Sequence, residues 1–285
     1  MDMAEPSAAV RQWLARAWSA ATRVALLAGG EDAPPVANRP VLARVDDPVA
    51  LDRLRRLTTT GTFAGDVCRC PGDLTIALYG EDGALLGAAT VHGDRLSWER
   101  GRFGDDLVLA DPVRLELYFS ELGIRGTARA LLGWMISALD LDEGEIQFRP
   151  AGDVAAMAAN RVPAALSAQL LNLSGPAAGD AAEDTVDRLF DRLRRSVPDH
   201  AVAARALLGW LGSTTWPGEA LSGDGLLARR LLARLDPAVV VGQFPTLVEA
   251  PEVMGALVFA AFADDDVALL AGLRPAIVGI LAPIR

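Results

Sequence analysis

Lysine is missing altogether. All 27 basic residues of the 285-residue chain are arginine, which excludes a Schiff-base lysine, a P-loop lysine and a lysine general base. Histidine is almost as scarce, with only His92 and His200, so any triad or histidine-ligated metal site must pass through one of them. Two cysteines, Cys68 and Cys70, cannot build a disulfide framework. With an acidic MDMAEPS start where a secretory signal would be basic, they suggest a reducing, cytoplasmic location. Long apolar runs are absent too. The longest, residues 253–263, is about half of the roughly 20 residues that cross a bilayer, so no membrane span is expected. Positive charge is in deficit, with a net charge of -10 and a pI near 4.8. That balance argues against nucleic acid, whose binding needs clustered cations to release counterions.

What is present is a core-forming chain. Hydrophobic residues make up 51% and charged ones 22%, enough apolar surface for one large domain or two modest ones. Residues 7–28 place Val10, Trp13, Leu14, Ala17, Ala21 and Val24 at helical spacing, which predicts one amphipathic helix. Asp47-Pro48 reads as the capped start of a short helix ending near Leu57. Between about residues 66 and 110 the pattern changes to short runs of period two, LTIALY, ALLGAATVH and RLSWER, parted by GEDG and by Gly93-Asp94. These predict an antiparallel meander of three or four strands. A helix opened by Asp111-Pro112 and closed at Gly123 would cover it.

From Gly126 onward every segment reads as helix. ARALLGW occurs twice there, beginning at Ala128 and Ala204, and PAALSAQL and PAVVVGQF follow the two copies at similar offsets, from Pro163 and Pro237. Ordered matches of this kind predict a duplicated unit, about 128–200 and 204–275. Helix starts at Pro163, Pro198 and Pro237 suggest helix pairs, so the region weakly resembles HEAT or armadillo repeats, and the resemblance implies a protein-binding surface. The expected fold class is therefore α+β. Residues 1–125 would hold an N-terminal helix and a small meander with its covering helix, followed by an all-α helical-repeat region over 126–285.

Chemistry concentrates in GDVCRCPGD. Cysteines at i and i+2 project to one face of an extended chain, so Cys68 and Cys70 could ligate a soft ion such as Zn with His92 and with Asp73 or Asp66, or cycle as a dithiol. The plain alternative is two small semi-buried structural cysteines. Trp98, Glu99 and Arg100, at the end of a strand, are a candidate interaction surface. His200 reads as a first-turn residue of a helix, GDGLLA at 223–228 as a helix start lacking the strand that a dinucleotide fold requires, and Asp105-Asp106 and the acidic run 264–266 as solvated turns. The functional expectation is a non-enzymatic interaction or adaptor module with a protein partner. Its alternatives are a thiol- or metal-dependent site at Cys68, Cys70 and His92, and an acidic immunity-type factor neutralising a basic partner.

Overall fold

A computed structural model describes residues 6–138, 161–170, 173, 176–214 and 223–282. The chain is mixed α+β and divides into two units, Met1–Ile124 and Arg125–Arg285. In the first, α1 (Pro6–Ala20) and β1 (Arg23–Ala28) precede β2 (Val41–Val45) and α2 (Pro48–Thr59). Next come β3 (Gly61–Phe63), β4 (Leu74–Tyr79), β5 (Leu85–His92), β6 (Arg95–Trp98), the one-turn α3 (Arg100–Phe103), β7 (Leu107–Leu109) and α4 (Pro112–Glu121).

The helix predicted over 7–28 stops at Ala20, and RVALLA is the strand β1. The reason is two-sided burial. Val24 and Leu26 enter the main core, while Ala25 and Leu27 pack with Ala77 on the opposite face. Such a strand presents one continuous apolar run and loses the alternation that would tell it from a helix. Because β1 joins β4 and β2 joins β1, the meander is the middle of a larger sheet. It has seven strands in the order β2-β1-β4-β5-β6-β7-β3, with every pairing antiparallel.

Local signals fix the helices that cover it. The Asp47 carboxylate accepts the Ala50 N–H at 2.8 Å and the Asp111 carboxylate accepts the Arg114 N–H at 3.1 Å, each with proline in the first turn. Trp13, Leu14 and Trp18 of α1, Leu54 of α2 and Leu115 and Phe119 of α4 bury one face of the sheet together with Ile76, Val91, Leu96 and Leu107. Trp98 is completely buried at the middle of that face, edge-on to Trp18, its indole N–H donating to the Thr58 carbonyl. The expectation that Trp98 offers a binding surface is therefore corrected, because at a strand end it points inward like its alternate neighbour Leu96.

The second unit is helical throughout its described residues, with Thr127–Ala138, Glu183–Ser196, His200–Thr214, Gly223–Leu232, Ala250–Ala261 and Asp266–Leu281 as its longer helices. The two ARALLGW copies lie in the same helical register. Ala128, Leu131 and Leu132 are buried in one, as are Ala204, Leu207 and Leu208 in the other, and both helices pack on Ala250–Ala261. Much of the predicted first repeat, residues 139–160, lies outside the described residues. The acidic run is a solvated helix-terminal turn at Asp264 and Asp265, which are exposed, but not at Asp266. Asp265 caps the last helix, and the buried Asp266 accepts the N–H groups of Gly126 and Ala128 at 2.9 and 3.2 Å, closing the start of the helix that carries the first copy.

Candidate metal centre

Strand alternation decides where the site stands. Val91 enters the main core, so Thr90 and His92 turn to the other face of β5. The register aligns Thr75 with Thr90 and Thr90 with Ser97 across β4, β5 and β6. These buried polar residues form a row beneath the loop of residues 64–73.

That loop carries both cysteines and is held at many points. The Gly65 N–H donates to Asp105 Oδ1 at 2.8 Å, and the Cys68 N–H to Asp106 Oδ2 at 2.6 Å. The Asp106 N–H donates in turn to the Asp66 carbonyl at 2.9 Å, and the Ser97 hydroxyl donates to Asp106 Oδ1. On the other side, the turn after β1 grips the loop. Gly29 N–H donates to the Asp73 carbonyl at 2.9 Å and Glu31 N–H to the Pro71 carbonyl at 2.7 Å. Gly72 has φ +70°, and a Cβ there would meet Thr90 Cγ2 and Val91 O at 2.5 Å and His92 Nδ1 at 3.2 Å. Only glycine lets the loop lie this close to β5.

Asp105 and Asp106, expected as a solvated turn, are therefore anchors. Asp106 is 0% exposed, and a buried carboxylate persists only where donors surround it.

Three soft donor atoms converge as a result. The sulfurs of Cys68 and Cys70 are 2.7 Å apart, Cys70 Sγ is 3.3 Å from His92 Nδ1, and all three ligand atoms lie within 4.8 Å of one another. Both cysteines are free thiols. A tetrahedral zinc with bonds of about 2.3 Å to sulfur and 2.0–2.1 Å to nitrogen sets edges of roughly 3.8 Å between sulfurs and roughly 3.6 Å from sulfur to nitrogen. The Cys70–His92 edge is close to that value. The sulfur pair must open by about 1 Å, a side-chain rotation available to residues at a half-exposed rim.

Electrostatics set the protonation states. Burial pushes the His92 pKa down against the pull of Asp106 and Glu31, and Arg100 adds to the lowering. The ring is thus neutral at pH 7, the form that ligates metals. Hydrogen bonding to Cys68, burial and the Cys68 charge raise the Cys70 pKa. Cys70 therefore keeps its proton at neutral pH until a cation displaces it.

The remaining predicted residues fall elsewhere. Asp73 is outside the three-residue group, and its backbone oxygen is taken by Gly29. Asp66 pairs with Arg95 at 2.7 Å. Glu99 turns its carboxylate back to the Ala88 N–H at 2.7 Å, so it caps a strand instead of facing a partner. His200 is exposed at a helix start in the other unit. One residue that sequence reasoning missed is Glu31, whose Oε1 stands 3.8 Å from His92 Nε2 and 4.0 Å from Arg100 Nη1. No family model, curated protein or solved structure matches this chain.

Proposed function

We propose that the N-terminal unit is a metal-binding module that takes one ion of the Zn2+ class on Cys68 Sγ, Cys70 Sγ and His92 Nδ1, with the fourth position left to water or to a partner's group. One observation carries this reading. The only two cysteines of the chain and one of its two histidines, drawn from a loop and a strand, bring their ligand atoms within 4.8 Å. A thiolate pair with imidazole suits zinc and disfavours magnesium or calcium, which take oxygen ligands. The dithiol-redox alternative would leave unused the His92 Nδ1 that stands 3.3 Å from Cys70 Sγ. Bound zinc would supply a tie between the loop and β5, and its open position a Lewis-acidic contact.

The helical unit fits the companion role of a non-enzymatic protein-interaction platform. Supporting it is a cleft of about 510 Å³ lined by Gln169, Arg188, Leu189, Asp191, Arg192 and Arg195; with Arg188 paired to Asp184, Arg192 and Arg195 against Asp191 leave a modest excess of positive charge that suits an acidic partner segment better than a basic one.

The test is a titration of the chelator-stripped full chain with Co2+ and then Zn2+. One equivalent is expected to bind with a thiolate-to-cobalt absorption band that the Cys68→Ser, Cys70→Ser double variant lacks. Failure of any ion to bind stoichiometrically, with both thiols freely reactive in native buffer, would end the metal reading.

A further inference from the structure

We propose that Glu31 is the outer carboxylate of this centre, accepting the Nε2–H of His92 and thereby holding the ring with its Nδ1 lone pair toward the two sulfurs, while Arg100 steadies Glu31. The inference rests on the metal-binding reading above and adds the positioning device that the reading needs.

The motive lies in two buried donors. His92 Nε2 and Arg100 Nη1 are both shielded from solvent with no hydrogen-bond partner, although buried polar groups are nearly always paired. A single oxygen, Glu31 Oε1, lies 3.8 Å from the first and 4.0 Å from the second. A shift of about 1 Å would bring it into hydrogen-bond range of both.

Glu31 is also built into the loop. Its own N–H is fixed to the Pro71 carbonyl at 2.7 Å, and at the adjacent Gly30 a Cβ would overlap the Pro71 and Gly72 carbonyl oxygens. The turn that carries Glu31 and the segment that carries the thiols therefore touch backbone to backbone.

The chemistry requires such a group. A neutral imidazole carries one proton, and if it sits on Nδ1 it points at the Cys70 sulfur and blocks ligation. A carboxylate at Nε2 selects the other tautomer and makes Nδ1 the better donor. On loading, the ion replaces the thiol protons, which leave to solvent, and no electron transfer is involved.

The experiment uses the full chain and Co2+ as the probe. Glu31→Ala is expected to raise the Co2+ Kd about 10–100-fold while retaining one equivalent and the thiolate band, because both sulfurs remain. Glu31→Gln, whose amide oxygen can accept the same N–H, should restore affinity to within about threefold of wild type. Nitrogen-15 NMR of the Zn2+-loaded wild type, read against a His200→Gln control, should show His92 protonated on Nε2 and ligated through Nδ1, with a slowly exchanging Nε2–H. Binding by Glu31→Ala as tight as wild type, or ligation through Nε2, would overturn the proposal while leaving the metal site standing. A wild-type chain that binds no Co2+ would overturn both. Should Glu31→Ala fail to fold, the wild-type tautomer and the Gln variant decide the matter.

Discussion

The Nδ1 atom of His92 stands 3.3 Å from the sulfur of Cys70 across 22 residues of sequence. Neither residue reaches the other by local geometry. The contact exists because β4 carries the chain from the cysteine loop into the sheet, β5 returns antiparallel, and the pairing Leu74↔Val91 puts the first residue of one strand beside the last turns of the other. The sheet thus converts one register into a set of metal ligands.

Metal should therefore act as a stabiliser of the N-terminal unit. An ion that binds only the folded chain adds about 2.7 kcal/mol at a free concentration 100 times its Kd. We expect Zn2+ to raise the melting temperature of that unit in the wild type and to leave Cys70→Ser and His92→Ala unmoved. Differential scanning calorimetry with and without Zn2+ checks this, and an equal rise in the His92 variant would contradict it.

Asp106 should matter more than its exposed-looking sequence context suggests. It is fully buried and accepts the Cys68 N–H and the Ser97 hydroxyl. Asp106→Ala strands both donors, each costing about 1–3 kcal/mol when left unpaired. We expect a loss of about 2–4 kcal/mol in urea unfolding and faster amide exchange at Cys68. A loss below about 0.5 kcal/mol, the level of an ordinary surface change, would show that the carboxylate is not an anchor.

Glu116 on α4 supplies a pH dependence. Burial, with the charge of Asp73 added, pushes its carboxyl up to about 7, and the residue is only 8% exposed. A raised folded-state pKa means that the fold favours the protonated form. Its relative stabilisation is complete below the ordinary value of 4.5 and is lost as pH rises through about 7, where a buried carboxylate must be tolerated. Glu116→Gln removes this titration. The variant should gain on wild type by on the order of 3 kcal/mol between pH 5 and pH 8, read from chemical denaturation at each pH. A pH-independent difference would mean that Glu116 stays ionised throughout.

Legibility from sequence followed how local each cause is. Asp47-Pro48, Asp111-Pro112 and Pro237 could be read as helix starts because a cap and its proline need only four residues of context. Strands β4, β5 and β6 could be read because glycine turns punctuate them. β1 could not, since covering on both faces erased its alternation, and β2, whose Val41 and Leu42 are exposed at the sheet edge, lacked an apolar face to signal it. The cost fell on the site. Cys68, Cys70 and His92 were readable as a group from the loop and neighbouring-strand reading. Glu31, however, reaches His92 only through the pairing of β1 with β4, so missing that strand meant missing the carboxylate. Asp105 and Asp106 were misread for the same reason, because burial under a loop is a tertiary fact that two adjacent acids do not announce.

The helical unit offers a test of how closely two of its helix backbones approach. Gly133, inside the first ARALLGW copy, is exposed and would place a Cβ in open space, so Gly133→Ala should gain about 0.5–1 kcal/mol from helix propensity alone. Just beyond the second copy, Gly212 lies against Ala250–Ala261. A Cβ there would overlap the Pro251 carbonyl oxygen, and one at Gly255 would overlap that of Leu208. These two glycines let the helix backbones touch, and no side-chain rotation can relieve a clash with backbone. Gly212→Ala should force the helices apart and cost about 1–3 kcal/mol as an overpacked core does, outweighing the same propensity gain. Opposite signs for the two substitutions in thermal unfolding are the expected result. Equal stabilisation by both would show that the close approach of His200–Thr214 to Ala250–Ala261 does not hold in solution.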